Sequence, residues 1–251
     1  MSERTVVVTG AAQGIGYAIA EHFVKAGDWV AILDLNQEAA EEAAQALGQA
    51  QGYGVDVSKE DRVKAVMEEI VDQRGAIDVL VNNAGMQYIS SVEDFPYEKF
   101  QQVFNVIMGG TFLCTKYALP SMKAQSKGRI ITISSGHGRR PDKYKSAYCA
   151  AKSAQIGFSN VVAKEYAQDG ITANCVLPGP THTKLIDNQL AKLAEEDGTS
   201  EDEALKTHII GGQWLGRLLE ADEIASAVYF LASDAAAAIT GEALAVTGGE
   251  G

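Results

Sequence analysis

The sequence predicts an α/β chain folded as one doubly wound domain: a parallel sheet of about seven strands with helices on both faces. Three observations predict it. Short apolar, β-branched runs alternate with longer stretches of helical periodicity along all 251 residues. The strand runs are continuously apolar, the pattern of strands buried on both faces. No linker, low-complexity stretch or internal repeat divides the chain, so residues 1–251 read as a single domain.

The elements follow in order. Residues 5–9 form the first strand and 15–26 the first helix, where Ile15, Ala18, Ile19 and Phe23 recur at helical steps. Residues 29–33 make a second strand closed by Asp34, and the Ala/Glu-rich run 37–47 a second helix. A third strand is expected near 53–55, then a helix over 59–73 started by Asp56 or Ser58. Residues 79–81 are a fourth strand, and 101–125 contain a long helix. A fifth strand at 129–133, a long helix at 147–168 and a sixth strand at 172–177 come next. The polar stretch 185–208 is helical in pattern, 221–232 is a further helix and 243–246 the last strand.

Composition narrows the function classes. Apolar residues make up 46% of the chain, enough at this length for one substantial core. No apolar run approaches the ~18 residues of a membrane helix. The N-terminus enters a strand without a signal-peptide apolar region. Cys114, Cys149 and Cys175 suit neither a disulfide framework nor a metal cluster. Together these predict a cytoplasmic protein without a metal. Cys149 reads as helix packing. A net charge of −12 argues against nucleic acid, whose binding requires a basic face.

Directly after the first strand stand Thr9, Gly10, Gly14 and Gly16, spaced TGxxxGxG and leading into a helix. Such a turn offers unpaired backbone N–H groups and the positive end of a helix dipole, which suit a pyrophosphate. Asp34 lies 18 residues past Gly16. A carboxylate there can accept hydrogen bonds from both hydroxyls of an adenosine ribose and repels a 2′-phosphate; its other reading is a helix N-cap. Gln13 and Leu35 stand nearby with no arginine, so NAD is expected rather than NADP.

Tyr148 and Lys152 are four residues apart in a helical stretch, hence neighbours on one face. A phenol titrates at about 10 and is a poor acid–base group at neutral pH. An adjacent ammonium is expected to stabilise the phenolate and lower that value.

These residues, with Asp56, Val57, Asn82, Asn83, Ala84, Gly85, Asn105, Ser135, Pro178 and Gly179, resemble the short-chain dehydrogenase/reductase family over nearly the whole chain. The resemblance implies a Rossmann-type fold and an NAD(H)-dependent oxidoreductase. In it Tyr148 would be the general acid–base for a secondary alcohol or ketone. Lys152 would lower the tyrosine pKa and bind the nicotinamide ribose. Ser135 would hydrogen-bond the oxygen where charge develops, and Asn105 would hold a water that relays protons. Ser134 is the alternative to Ser135, and Asn105 is otherwise a helix cap or interruption. The implied cofactor contacts are Gly10, Gln13, Gly14, Ile15 and Gly16 in the loop, Asp34, Leu35, Asp56 and Val57 at the adenosine end, and Asn83, Ala84 and Gly85 beside its ribose. Pro178, Gly179, Thr181 and Thr183 would lie by the carboxamide. A homotetramer built from the helices of 101–125 and 147–168 is also implied.

His137, Arg139, Arg140, Lys143 and Lys145 fall between Ser135 and Tyr148, and His182 and Lys184 in a second loop. In so acidic a chain this suggests a small anionic substrate; the other reading of Arg139, Arg140 and Lys143 is a solvated or intersubunit surface. A narrower resemblance is to 3-hydroxybutyrate dehydrogenases, where Gln87, His137, Lys145 and Gln189, with Ser135, would hold a substrate carboxylate. Residues 185–210 would be a lid. Pro180, Arg139, Arg140 and His182 depart from that subfamily's pattern. Sugar acids, polyols, acetoin-type diols and 3-oxoacyl thioesters are therefore alternatives, as is a non-catalytic NAD-binding sensor.

Overall fold

The computed structural model describes residues 3–249. The side chains of residues 184, 185, 187–189, 192 and 196 lie outside the described residues, and with them the expected contact of Gln189. Seven strands, β1 (Thr5–Thr9), β2 (Trp29–Asp34), β3 (Ala50–Gly54), β4 (Val79–Asn82), β5 (Gly128–Ile133), β6 (Ile171–Pro178) and β7 (Ala243–Val246), form one sheet in the order β3-β2-β1-β4-β5-β6-β7. Every pairing is parallel. Each connection must therefore cross back over a face. The crossovers use α1 (Gly14–Lys25), α2 (Gln37–Leu47), α3 (Glu60–Arg74), α4 (Tyr97–Phe104), α5 (Gly110–Ala124) and α6 (Ser146–Tyr166). After β6 come α7 (Lys184–Asp197), α8 (Glu201–Ala204) and α9 (Ala221–Leu231). This is a single Rossmann-type domain.

Strand alternation divides the core in two. Val6, Val8, Val30 and Ile32 face Ile19 and Phe23 of α1 and Ile224 and Val228 of α9. Val7, Leu33 and Leu80 face Val66, Met67 and Ile70 of α3 and Cys114 and Met122 of α5. Each such buried side chain stabilises by roughly 1.5–3 kcal/mol. Both faces are apolar because both are covered, so the strand runs lack the alternation of a half-exposed sheet. Among the described residues, no helix is long and apolar enough to cross a membrane.

Several boundaries differ from expectation for identifiable reasons. The third strand is Ala50–Gly54 rather than 53–55: Ala-Gln-Gly-Tyr-Gly contains no β-branched residue, and pairing with β2, from Val30–Ala50 to Asp34–Gly54, makes it a strand. Helix α3 starts after Lys59 without a side-chain cap. Asp56 does not cap it, because its Oδ1 accepts from Ser58 N at 2.9 Å and Ser58 Oγ at 2.7 Å. Nor does Asp34 cap α2; Asn36 Oδ1 does, accepting from Ala39 N at 3.2 Å. The long helix expected in 101–125 begins earlier, at Tyr97, and is interrupted by a π turn, Asn105–Gly109, before α5. Stretch 185–208 is split at Gly198, whose φ of +64° ends α7.

In this strand order β1 lies between β2 and β4, so successive connections leave β1 in opposite directions. The helices that follow β1 and β4 cover opposite faces of the sheet and leave a crevice at the carboxyl ends of the strands, where ligands of open parallel sheets bind. The residues singled out by motif lie at or just past the ends of β1 to β6, at the start of α1, on the π turn or on α6.

Candidate active site

The loop after β1 is shaped by close approach. Gly10 has φ +62°, and a Cβ there would lie 2.9 Å from Ala84 Cα; a Cβ on Gly16 would collide with Gly10 O and Asn83 Nδ2. Helix α1 follows Gln13, which is extended and makes no side-chain cap, and its first turn carries no acidic residue. Its leading N–H groups and dipole therefore favour an anion. Asn83 fastens this loop: its Nδ2 donates to Thr9 O and Gly10 O, each at 2.9 Å. The backbone N–H groups of Asn83 and Ala84 both donate to Thr9 Oγ1 at 3.0 Å. Sequence reasoning missed this stapling; a threonine ending one strand and an asparagine after its neighbour are the signal that was available.

Asp34 Oδ2 accepts from Ala12 N at 3.1 Å, which ties the acid to the glycine loop. Leu35 beside it is 76% exposed, an apolar surface at the mouth of the crevice. Val57 is buried, and Ile15 packs on the core below α1. On the other side, Pro178 ends β6 and Gly179 N donates to Val246 O at 2.9 Å. Thr181 is buried with its Oγ1 donating to Gly179 O at 2.9 Å. Thr183 starts α7, its Cγ2 3.7 Å from the position a Cβ would take on Gly14. The two loops thus face each other across the crevice.

A bare glycine cradle, an uncapped helix N-terminus and a carboxylate at the end of β2 fit a dinucleotide. Gly10, Gly14 and Gly16 would hold its pyrophosphate and Asp34 its adenosine ribose.

Beyond this cradle lie Tyr148 and Lys152 on α6. Lys152 Nζ lies 5.6 Å from the Tyr148 ring centre and donates to Ile133 O, at the end of β5, at 2.7 Å. Lys152 is 3% exposed, and burial brings its ammonium down to about 8. The expectation that the ammonium lowers the phenol is not met in the free protein. Burial pushes Tyr148 up, and the opposing influence is nearby Ser135. The lysine ammonium is turned to the Ile133 carbonyl.

Two alternatives left open by sequence separate here. Ser134 Oγ donates to Lys152 O at 2.8 Å and is buried among helix backbone. Ser135 lies near enough to the Tyr148 phenol to oppose its upward shift, and accepts from His137 N at 3.1 Å. Ser135, not Ser134, adjoins the reactive group. Asn105 is exposed, at the first residue of the π turn, where the extra residue per turn shifts the phase of the helix. Ile107, two residues on, is buried against Ala147 and Ala151 beside Tyr148, and its Cγ1 and Lys152 Nζ lie 3.9 and 3.8 Å from the position a Cβ would take on Gly85, so the π turn borders the site. Nothing in the one-dimensional pattern reveals a π turn.

The expected basic cluster is smaller than its sequence suggests. Arg139 turns to β7, donating to Ala243 O at 2.8 Å, and Arg140 and Lys143 are exposed. His182 is also exposed, its backbone N donating to Leu219 O at 2.8 Å. His137 and Lys145 remain together, Nε2 to Nζ 3.3 Å, and the His137 ring stands edge-on to Tyr148 with centres 6.3 Å apart. Lys145 is paired at 2.7 Å with Asp142, a residue the sequence reading passed over. The segment after Gly85 runs alongside, with Ser90 N donating to Tyr144 O at 2.9 Å. On that segment Gln87 Nε2 is buried without a partner. Among the described residues, no group of His, Cys, Asp or Glu is placed to hold a metal ion.

Fold and site together define a nicotinamide-dependent oxidoreductase acting on CH–OH groups. The chain belongs to the short chain dehydrogenase family, whose pattern matches residues 4–194. It is 40% identical to an uncharacterised oxidoreductase of Bacillus subtilis (strain 168), over 99% of this chain and 98% of the other. It is 34% identical to a D-beta-hydroxybutyrate dehydrogenase of Rhizobium meliloti (strain 1021), over 98% of each. It is 38% identical to a 3-oxoacyl-[acyl-carrier-protein] reductase of Chlamydia trachomatis serovar D, over 98% of this chain and 96% of that one.

Proposed function

We propose that this enzyme is an NAD-dependent dehydrogenase that interconverts a small hydroxy acid, such as 3-hydroxybutyrate, with its oxo acid. The observation that carries the proposal is one wall of the crevice: the phenol of Tyr148 beside Ser135, with the His137 ring edge-on to it and Lys145 Nζ 3.3 Å from His137 Nε2. In the oxidising direction Tyr148 accepts the substrate hydroxyl proton, and in the reducing direction it returns it. Ser135 donates to the same oxygen and holds it where charge develops. Bound in the glycine cradle, the nicotinamide supplies the hydride acceptor or donor. Lys152 would hold the nicotinamide ribose, and its Nζ lies 5.6 Å from the centre of the phenol ring. Lys145, His137 and Gln87 orient the carboxylate. The name carried by the Rhizobium relative supports this substrate class.

Asp34 supports NAD over NADP, since a carboxylate repels a 2′-phosphate and Gln13 and Leu35 offer no counter-charge. The lid reading draws support from the packing of α7 and α8. Leu190, Ala194 and Ala204 form a small cluster with Ile186, Leu193, Leu205 and Ile209, separate from both sheet cores. Exposed Phe112 and Val161 on the outer faces of α5 and α6 support assembly into a homotetramer. A second reading, reduction of 3-oxoacyl thioesters, is favoured by the Chlamydia relative.

The test is a coupled screen of 3-hydroxybutyrate, sugar acids, 2,3-butanediol, polyols and a 3-oxoacyl thioester with NAD(H) and NADP(H). Highest kcat/KM is expected for the hydroxy acid with NAD, and Asp34→Arg should move cofactor preference toward NADP by at least tenfold. A preference for the thioester with NADPH would sink the proposal.

A further inference from the structure

We propose that Asp142 is a built-in rival of the substrate's anionic group, neutralising Lys145 in the free protein and yielding when a short carboxylate seats there. The inference rests on the anion-site reading above. The pair is asymmetric. Lys145 is only 12% exposed while Asp142 is 46% exposed, at an Nζ–Oδ2 distance of 2.7 Å. Lys145 is anchored: it immediately precedes α6, and its backbone is bridged to Ser90. Tyr144 before it sits at φ +65°, a turn that sets the direction of the loop. Asp142 has only a local tie, Oδ1 accepting from its neighbour Lys143 N at 2.8 Å. The carboxylate can therefore rotate into water while the ammonium stays.

Exchange of one carboxylate for another at Lys145 is nearly even in Coulomb energy, and a pair with one half-exposed member is easily given up. The incoming group gains what Asp142 does not take. On the segment bridged to Lys145 through Ser90, Gln87 Nε2 is buried and without a partner, and an unmet buried donor is costly until an acceptor arrives. His137 reports the same balance: burial and Lys145 hold it low while Asp142, 3.9 Å from its Nε2, pulls it up. With Asp142 in place, the Lys145–Asp142 pair carries no net charge, so the pocket distinguishes an anion from a neutral alcohol only weakly. Asp142 thereby sets how selective the enzyme is for acids.

The experiment compares wild type with Asp142→Asn, nearly isosteric and on an exposed loop. Two quantities are read: the ratio of kcat/KM for 3-hydroxybutyrate to that for 2,3-butanediol, and acetate binding to the NADH complex. The variant should raise the ratio about tenfold, tighten acetate similarly, and lower the His137 pKa seen by NMR. An unchanged or lower ratio and unchanged acetate binding would overturn the proposal. If Lys145→Ala still weakened 3-hydroxybutyrate in that case, the anion-site reading would survive alone. Wild-type turnover of neutral alcohols only, with acetate binding gained in Asp142→Asn, would uphold the rival and remove the hydroxy-acid reading. Acetate binding to neither protein would remove both.

Discussion

At Lys152 burial and charge oppose each other, and the result is measurable. The ammonium titrates at about 8 in the folded protein against about 10.5 unfolded. Its folded value is depressed, so between those limits the unfolded chain holds a proton that the native protein has released. Stability therefore rises with pH across about 8 to 10.5 on account of this group. The penalty below that window is on the order of 3 kcal/mol. Urea unfolding of wild type and Lys152→Met should show the variant's relative stability falling by that order from pH 7.5 to 10.5. A gap constant with pH would show that the ammonium is not buried as described. Tyr148 is shifted oppositely, upward by burial, so the free protein holds a neutral phenol ready to donate. Tyr148→Phe should lose at least 10³-fold in kcat, with NADH affinity by fluorescence within about twofold. Retained turnover would exclude the phenol as the acid–base group.

At the scale of elements, the sheet ends and α7–α8 behave differently. The loops after β1 and β4 are stitched by Thr9 and Asn83, so the cradle is rigid before any ligand arrives. Helices α7 and α8 share a cluster of their own, and Gly198 between them is a natural break. A unit with few ties to the main core opens at lower free energy than that core. Limited proteolysis should cut first around residues 198–200, and NADH with acetoacetate should slow that cut several-fold. Equal rates with and without ligand would contradict a lid. The same scale shows where helix reading fails. The periodicity of 101–125 is correct in kind, but the π turn Asn105–Gly109 interrupts it and Ile107 is buried.

For the whole molecule, α5 and α6 each carry an exposed apolar side chain among polar ones. Phe112 is 46% exposed and Val161 53%, and Phe112 meets Phe158 edge-on with ring centres 6.1 Å apart. Light scattering should give four times the chain mass of 26.6 kDa, and Val161→Glu should lower it. A wild-type monomer would remove the assembly reading. The net charge of −12 makes the molecule as a whole repel anions. Recognition of an acid must then come from fixed local groups, not from the long-range field.

Alternation of apolar runs, the glycine spacing and the Tyr148–Lys152 interval are local properties, repeated at fixed offsets along the chain, and they determined the sheet, its covered faces and the family. Whether a charge stays free is not local. Of the cationic or titratable residues clustered near the pocket in sequence, His137 and Lys145 form a close pair, while Arg139 found Ala243 and Asp142 found Lys145. The direction of the Tyr148 shift, the different partners of Ser134 and Ser135 and the π turn at Asn105 were likewise decided only by the tertiary structure. Desolvation, hydrogen-bond partners and helix phase depend on what packs against a side chain from distant parts of the chain, and a linear pattern does not encode those neighbours.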